Sequence, residues 1–159
     1  MKLGVIGLGR MGQIVVDRVL EEGHDVVAFD LDSAAVEAAT DAGAEPADSI
    51  EDLVAQLPER KRIWLMVPAG GAVDATLDEL DPLLDADDVV VDGGNSHFER
   101  SIDRGETLEA AYLDCGTSGG PAGAEVGFSL MIGGPKAAYE EMTPVFDAVA
   151  TGPDGHDHM

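Results

Sequence analysis

Six short apolar runs, each five or six residues long, alternate with segments of helical pattern along this chain. They span residues 2–7, 25–30, 62–67, 88–92, 111–115 and 129–134. Uninterrupted apolar strands of this kind are typical of a parallel sheet whose two faces are both covered by helices. We therefore predict a doubly wound, mostly parallel α/β fold of the Rossmann type, in which ligands bind beyond the carboxyl ends of the strands.

The segments between these runs predict helices. They are Gln13 to Glu22, Ser33 to Gly43 with Ser33 as the N-cap, Ser49 to Leu57, Ala72 to Leu84, His97 to Ala110, and Pro135 to Ala150. No repeat or low-complexity linker separates them, so we expect one dinucleotide-binding domain over residues 1–159. Its last residues, about 151–159, are predicted to be irregular.

The charge balance is strongly acidic, with 32 acidic and 9 basic residues and a formal net charge of −23. Nucleic acids and anionic membranes need a basic patch, so neither is an expected partner. The acids are spread over the whole chain, which favours adaptation to molar salt inside the cell over an acidic tail. An acidic protein from an ordinary cell is the alternative.

Three features bear on the compartment. There is no run of about 18 apolar residues that would predict a membrane span. The amino terminus runs directly into the first strand pattern, which leaves no room for a signal peptide. Cys115 is the single cysteine, so no internal disulfide can form and we expect a cytoplasmic protein.

A glycine-rich turn joins the first strand to the first helix. Its residues are Gly7, Leu8, Gly9, Arg10, Met11 and Gly12, which give the pattern G-x-G-x-x-G. In this setting the first glycine permits a tight turn, the second admits a pyrophosphate, and the third allows close packing of helix on strand. Arg10 could reach the pyrophosphate or could be a charge that faces solvent. The turn predicts a bound dinucleotide; a tight turn that binds nothing is the alternative.

An acid ends the second strand at Asp30, 18 residues after Gly12. A carboxylate at this place can accept hydrogen bonds from both ribose hydroxyls of NAD. The 2′-phosphate of NADP would face Asp30 and Asp32 without a nearby arginine, so we expect NAD to be preferred. Residues 1–32 equally resemble the nucleotide-sensing domains of potassium channels and transporters, and nothing in them separates a sensor from an enzyme.

Three later strand ends carry further polar and glycine-rich motifs. These are MVPAG (66–70), DGGNS (92–96) and DCGTSGG (114–120). Adjacent glycines leave the backbone open to a ligand, and Asn and Ser add hydrogen-bonding groups. The alternative is that each motif is a tight turn whose polar groups bind nothing. Three such motifs at one edge of the sheet make this alternative less favourable.

Together with GLGRMG, these motifs resemble 6-phosphogluconate dehydrogenase, the decarboxylating enzyme of the pentose phosphate route in the β-hydroxyacid dehydrogenase superfamily. The similarity runs through essentially the whole chain and is greatest to the short, often NAD-linked form. The activity it implies is oxidation and decarboxylation of 6-phosphogluconate to ribulose 5-phosphate and carbon dioxide. A sister enzyme for 3-hydroxyisobutyrate or tartronate semialdehyde is the nearer alternative, and the potassium-linked sensor the more distant one.

The resemblance also implies roles for individual residues. Val67, Pro68 and Ala69 would line the cofactor, although the longer enzymes have lysine in place of Pro68. Asn95 would touch both the substrate and the nicotinamide ribose. The carboxylate end of the substrate would be held by Ser118, Gly119 and Gly120.

The same resemblance places the catalytic base, a lysine, and the catalytic acid, a glutamate, on a helix beyond Met159. We therefore expect no catalytic residue within this chain, and a homo-oligomer, dimer or tetramer, for the longer protein. No metal site is expected: His156 and His158 form His-x-His in a glycine-rich terminal segment, which is weak evidence for metal binding.

Overall fold

The computed structural model describes residues 1–68, 70–94, 98–119, 123–151 and 154–159. These residues form eight strands: β1 (Lys2–Ile6), β2 (Asp25–Phe29), β3 (Glu45–Pro46), β4 (Arg62–Leu65), β5 (Val89–Asp92), β6 (Ala111–Ser118), β7 (Ser129–Gly133) and β8 (His156–His158). The strands pair into one sheet in the order β3-β2-β1-β4-β5-β6-β7-β8. Neighbouring strands run parallel except for β6 and β7, which are antiparallel.

The helices of the described residues are α1 (Arg10–Glu21), α2 (Ser33–Ala42), α3 (Ile50–Ala55), α4 (Gly71–Leu80), α5 (Phe98–Thr107), α6 (Gly123–Val126) and α7 (Lys136–Val149). A 3-10 turn, Asp81–Leu83, follows α4. None of these helices combines the length and the apolar character that a bilayer crossing requires.

Two apolar cores lie on opposite faces of the sheet. On one face Val15 of α1 and Phe146 of α7 belong to a cluster with Leu3 of β1. On the other face α3 and α4 contribute Leu53 and Leu77 to a second cluster. Burying apolar side chains on both faces explains why the strands are apolar without alternation. This arrangement confirms the predicted doubly wound, mostly parallel fold.

Three short elements were not predicted from the sequence, namely β3, α6 and β8. The tail at 151–159, expected to be irregular, contains β8, which pairs in parallel with β7 through Leu130 and His156. The His156 ring bonds to the Tyr139 hydroxyl at 2.8 Å and to Asp147 at 2.7 Å, both on α7. This polar edge strand is therefore stabilised by neighbours distant in sequence, and it has no apolar pattern to reveal it.

Helix boundaries differ from the predictions by a few residues where capping decides them. The N-cap of α2 is Asp32, not Ser33, because the Asp32 carboxylate accepts a hydrogen bond from the Ala34 N–H at 3.0 Å. Gly43 ends α2 in the left-handed region, with φ +119°. Ser49 caps α3 through the Asp52 N–H, also at 3.0 Å. The sequence indicates a capping residue at each of these helix ends. At the start of α2, however, two adjacent residues, Asp32 and Ser33, can both act as the acceptor.

Candidate dinucleotide-binding cleft

The glycine turn after β1 owes its shape to two of its three glycines. Gly7 has a φ of +98°, which favours glycine. A Cβ atom on Gly12 would lie 2.1 Å from the Gly7 carbonyl oxygen, so any side chain there would push α1 away from the turn. A Cβ on Gly9, by contrast, would meet no described heavy atom within 4 Å. Gly9 therefore borders open space, and its lack of a side chain serves the cleft and not the packing.

The amino-terminal end of α1 faces this open space. Gly9 is its N-cap and supplies no side-chain cap, and the first turn contains no acidic residue. The first N–H groups of a helix lack intrahelical partners and attract anions. In a chain of net charge −23, a helix start that begins with Arg10 and carries no acid is a locally favourable place for a phosphate.

Asp30 connects the end of β2 to the glycine turn. Its Oδ2 accepts a hydrogen bond from the Leu8 backbone N–H at 2.6 Å, and its Oδ1 accepts one from the Asp32 N–H at 2.8 Å. Each carboxylate oxygen keeps a second lone-pair direction for another donor. The half-buried carboxylate is thus fixed in position beside the glycine turn and can still accept hydroxyl hydrogens.

A cleft of about 700 Å³ opens at this edge of the sheet. Its size falls within the range of about 300–1,000 Å³ typical of small-molecule sites. Eight residues proposed from the sequence to touch the cofactor line it: Gly7, Gly9, Arg10, Met11, Gly12, Asp30, Val67 and Pro68. Leu8 lies behind them and bonds to Asp30 through its N–H. The fold therefore brings together the glycine turn, the acid of β2 and the end of β4.

One side of the cleft was not predicted from the sequence. It is formed by α4, through Ala72, Ala75, Thr76 and Glu79. Their spacing of three and four residues puts them on one helical face. Most of these side chains are short, and they differ in polarity. The sequence therefore does not distinguish this helical face from an ordinary solvent-exposed one. Leu31, 95% exposed and directly after Asp30, also lines the cleft.

The two glycines of DGGNS have a packing reason that the sequence did not reveal. A Cβ on Gly93 would lie 2.5 Å from Nε1 of the buried Trp64, and one on Gly94 would lie 2.6 Å from the Val67 carbonyl oxygen. Both residues also line the cleft. Because neither glycine has a side chain, the end of β5 can lie close to the end of β4. The backbone of both glycines then forms part of the cleft wall.

The proposed substrate residues of β6 do not line this cleft. Asp114 pairs with Asp92 at the last position of β5, and β6 continues to Ser118 because its far side pairs with β7. Four further residues at about 3.3 Å each carry Ser118 roughly 13 Å past that level. Ser118 and Gly119 are exposed, and Gly119 has a φ of +124°. They stand at the same edge of the sheet, beyond the cleft.

Three proposed site residues, Ala69, Asn95 and Gly120, lie outside the described residues. His156 and His158 belong to β8, where the His158 Nε2 lies 2.7 Å from the Gly134 carbonyl oxygen. Among the described residues no group of three or more metal-ligating side chains is assembled. Cys115 is fully buried, and burial raises the pKa of its thiol to about 12.

Comparison with known families gives a match over nearly the whole chain. Residues 2–155 match the family model described as the NAD binding domain of 6-phosphogluconate dehydrogenase. The chain is 78% identical over 159 residues to an NAD(+)-dependent, decarboxylating 6-phosphogluconate dehydrogenase of Haloferax volcanii, a halophile, and covers 53% of that protein. It is 40% identical to the decarboxylating enzyme of Cunninghamella elegans, of which it covers 33%. The chain thus spans about half of the first relative and about a third of the second.

Solved structures give the same result for the fold. A 6-phosphogluconate dehydrogenase from Plasmodium falciparum, studied with NADP+ and with 6-phosphogluconate, matches 92% of this chain and 33% of its own, with a TM-score of 0.82 and 27% identity. A 3-hydroxyisobutyrate dehydrogenase from Mycobacterium tuberculosis matches 99% of this chain and 53% of its own, with a TM-score of 0.87. At 23% identity the latter similarity shows the fold alone.

Proposed function

Since this chain belongs to the family of NAD-binding domains of 6-phosphogluconate dehydrogenase, we propose that the cleft beside Asp30 binds NAD. The observation that carries the proposal is the hydrogen bond from the Leu8 N–H to Asp30, because it holds the ribose acceptor next to the phosphate-binding turn. The pyrophosphate would lie against Gly9 and the start of α1, where the cleft offers free N–H groups and open space.

The rest of the dinucleotide would extend along the ends of β4 and β5. Val67, Pro68 and Ala69 would border it after β4, and Asn95 would contact the nicotinamide ribose after β5. Gly93 and Gly94 line the intervening wall with backbone alone. Bound NAD would accept the hydride that leaves the substrate, and the protein's part is to hold the two reacting carbons in contact.

We further propose that NAD is preferred over NADP. Asp30 already accepts two backbone N–H groups, which hold its carboxylate at the place where a 2′-phosphate would lie. Asp32, whose carboxylate caps α2, adds a second negative charge, and the intervening residue is the exposed Leu31. A phosphate would meet two carboxylates here, whereas a 2′-hydroxyl would find acceptors.

For the longer protein we propose NAD-dependent oxidation and decarboxylation of 6-phosphogluconate to ribulose 5-phosphate and carbon dioxide. Asn95, Ser118, Gly119 and Gly120 would bind the substrate at the edge of the sheet. The described lining of the cleft holds Asp30 and Glu79 as its acids and no lysine or histidine. From the resemblance to the family, we propose that the base that deprotonates the C3 hydroxyl and the acid that protonates the enediol are a lysine and a glutamate beyond Met159. A cytoplasmic homo-oligomer fits this role.

The test is an assay of the full-length protein in molar KCl, with absorbance of reduced cofactor as the readout. The substrates are 6-phosphogluconate, 3-hydroxyisobutyrate and tartronate semialdehyde, each with NAD and with NADP. Reduction of NAD with 6-phosphogluconate, together with release of carbon dioxide, is the expected result. Turnover of either smaller acid alone would assign the protein to a sister activity. Binding of NAD without turnover of any of the three would favour a sensor.

A further inference from the structure

A charged side chain is completely buried at the end of β5. Asp92 has no exposed surface, and its carboxylate is surrounded by donors. Its Oδ1 accepts from the Gly94 N–H at 2.9 Å, and its Oδ2 accepts from the Tyr112 hydroxyl at 2.5 Å. The Arg104 Nη1 lies 3.5 Å from the same Oδ2. Asp92 therefore ties the first residues of DGGNS to β6 and α5.

Arg104, from α5, extends this connection to the end of β4. Its side chain is only 6% exposed. The Nε donates to the Asp74 Oδ1 at 2.9 Å, and the Nη2 donates to the Gly70 carbonyl oxygen at 3.3 Å. Gly70 is the N-cap of α4 and Asp74 lies in its first turn. One guanidinium thus contacts the end of β5, the segment after β4, and the start of a helix that lines the cleft.

The charges around this guanidinium make it difficult to replace. Burial and the nearby Asp92 raise the pKa of Asp114 on β6. Hydrogen bonding to Arg104 lowers the pKa of Asp74. The planar guanidinium donates hydrogen bonds to Asp74 and Gly70 and lies at ion-pair distance from Asp92, whereas a single lysine ammonium cannot contact all three groups at once.

We propose that Arg104 is a positioning residue that fixes the segment after β4 relative to the segment after β5. The inference rests on the proposed function, because these two segments carry Val67, Pro68, Ala69 and Asn95, the residues assigned to the nicotinamide end. Arg104 itself is placed away from the cofactor: it does not line the cleft. The hydrogen bond between Leu8 and Asp30, at the other end of the proposed dinucleotide site, includes none of the residues that Arg104 contacts through Nε, Nη1 and Nη2.

This separation predicts that loss of Arg104 affects the Kd for NAD and kcat differently. Loss of the Arg104 fork should misplace the nicotinamide end while the pyrophosphate and adenosine ribose contacts persist. The Kd for NAD should then change little, whereas kcat should fall, because misalignment of the reacting atoms acts on the barrier. A residue needed only for folding would lower activity in proportion to the folded fraction and leave kcat per folded molecule unchanged.

The experiment compares Arg104→Lys and Arg104→Gln with Arg100→Gln in the full-length protein in molar KCl. Arg100 is a matched control, because it also pairs with Asp74 but its side chain is 54% exposed. The measurements are the folded fraction, the NAD Kd, kcat with 6-phosphogluconate, and hydrogen exchange of the peptide that contains Gly94. The exchange measurement reports on the Gly94 N–H bond to Asp92 without requiring activity.

For both Arg104 variants we expect a fall in kcat of about tenfold or more, an NAD Kd within about threefold of the parent, and faster exchange at Gly94. Arg100→Gln should match the parent in all three. Equal kcat and equal exchange in the Arg104 and Arg100 variants would overturn the proposal, and so would a full rescue by lysine. If neither Arg104 variant folds, Asp74→Asn takes their place. We then expect the same fall in kcat, the same nearly unchanged NAD Kd and the same faster exchange at Gly94. Equal kcat and equal exchange in Asp74→Asn and Arg100→Gln would overturn the proposal.

Failure of the proposed function would look different. In that case the parent protein itself would not turn over 6-phosphogluconate, before any variant is compared. The exchange at Gly94 would still decide whether Arg104 holds the two segments together.

Discussion

The backbone N–H of Leu8 donates to the carboxylate of Asp30 at 2.6 Å, across the gap between the first βα turn and the end of β2. The acid expected to bind ribose is therefore also a structural part of the glycine turn. Removing it should affect two contacts with the dinucleotide, one made directly and one made through the shape of the turn.

Asp30→Asn tests this double role. The amide has one acceptor oxygen in place of two, so it cannot serve both the Leu8 and the Asp32 N–H groups. We expect the Kd for NAD to rise about tenfold or more, which corresponds to about 1.4 kcal/mol. Isothermal titration in molar KCl measures it. Asp32→Asn is the control, since asparagine caps helices about as well as aspartate; an equal loss of NAD affinity in both variants would contradict the assignment.

Two glycine substitutions should separate folding from binding. Gly12→Ala would put a Cβ 2.1 Å from the Gly7 carbonyl oxygen, and such overpacking costs about 1–3 kcal/mol. Gly9→Ala meets no described atom within 4 Å and has a φ of −67°, which alanine accepts. We expect a lower melting temperature for the former. The latter should keep the parent melting temperature but bind NAD weakly, because its methyl group enters the cleft.

Unchanged NAD binding by a folded Gly9→Ala protein would show that the pyrophosphate does not lie at the start of α1. An undisturbed melting temperature for Gly12→Ala would contradict the close contact between the turn and the helix. Both measurements are made in the same molar KCl buffer.

The buried thiol of Cys115 should report on salt dependence. It is the single cysteine of the chain, it is fully buried, and burial raises its pKa to about 12. At molar salt charges are screened within about 3 Å, so a chain of net charge −23 should stay folded and react slowly with a disulfide reagent. Dilution to low salt should unfold it and bring the thiol to the rate seen in urea. Slow reaction at low salt would contradict salt adaptation.

Two carboxylates should make stability depend on pH in opposite senses. Burial, and then Asp92, raises the pKa of Asp114, so its ionisation opposes folding as the pH rises from the unfolded pKa through the raised folded value. The hydrogen bond from Arg104 lowers the pKa of Asp74, whose ionised form favours folding above the unfolded pKa and loses that effect as the pH falls through the folded value.

At pH 7 we therefore expect Asp114→Asn to melt at a higher temperature than the parent and Asp74→Asn at a lower one. The Asp114 difference should shrink as the pH falls through its raised folded pKa toward the unfolded value, whereas the Asp74 difference should shrink only at lower pH, below the unfolded value and through its lowered folded pKa. Calorimetric scans across this range measure them. Differences of the same sign at pH 7, or differences that do not vary with pH, would contradict the assigned environments.

Much of the fold was predictable because its signals are local. Apolar runs without alternation indicated a sheet covered on both faces, and Gly43 marked the end of α2. The strand β8 was not predictable, because its pairing with β7 and the bonds of His156 to α7 join residues distant in sequence. Its own residues, His-Asp-His, carry no strand pattern.

The site was predictable to a similar degree. The glycine turn and Asp30 have a fixed spacing set by the βαβ unit, and the structure gathers them in one cleft. The contribution of α4 to the cleft and the role of Arg104 were not predictable from the sequence, because both depend on contacts that exist only in the folded structure. Arg104 stands in an exposed-looking helix sequence, and only the packing of α5 on β6 turns it inward to Asp92. Likewise, the glycines of DGGNS indicated a ligand, but Trp64 and Val67 supply a packing reason of their own.

The most direct test of NAD binding at this cleft is the Kd of the 159-residue chain for NAD and for NADP, measured by titration calorimetry in molar KCl. We expect saturable one-site binding of NAD, about tenfold or more tighter than that of NADP. Binding of NADP equal to or tighter than that of NAD would contradict the role assigned to Asp30 and Asp32. No binding of either dinucleotide by the folded chain would contradict the cleft itself.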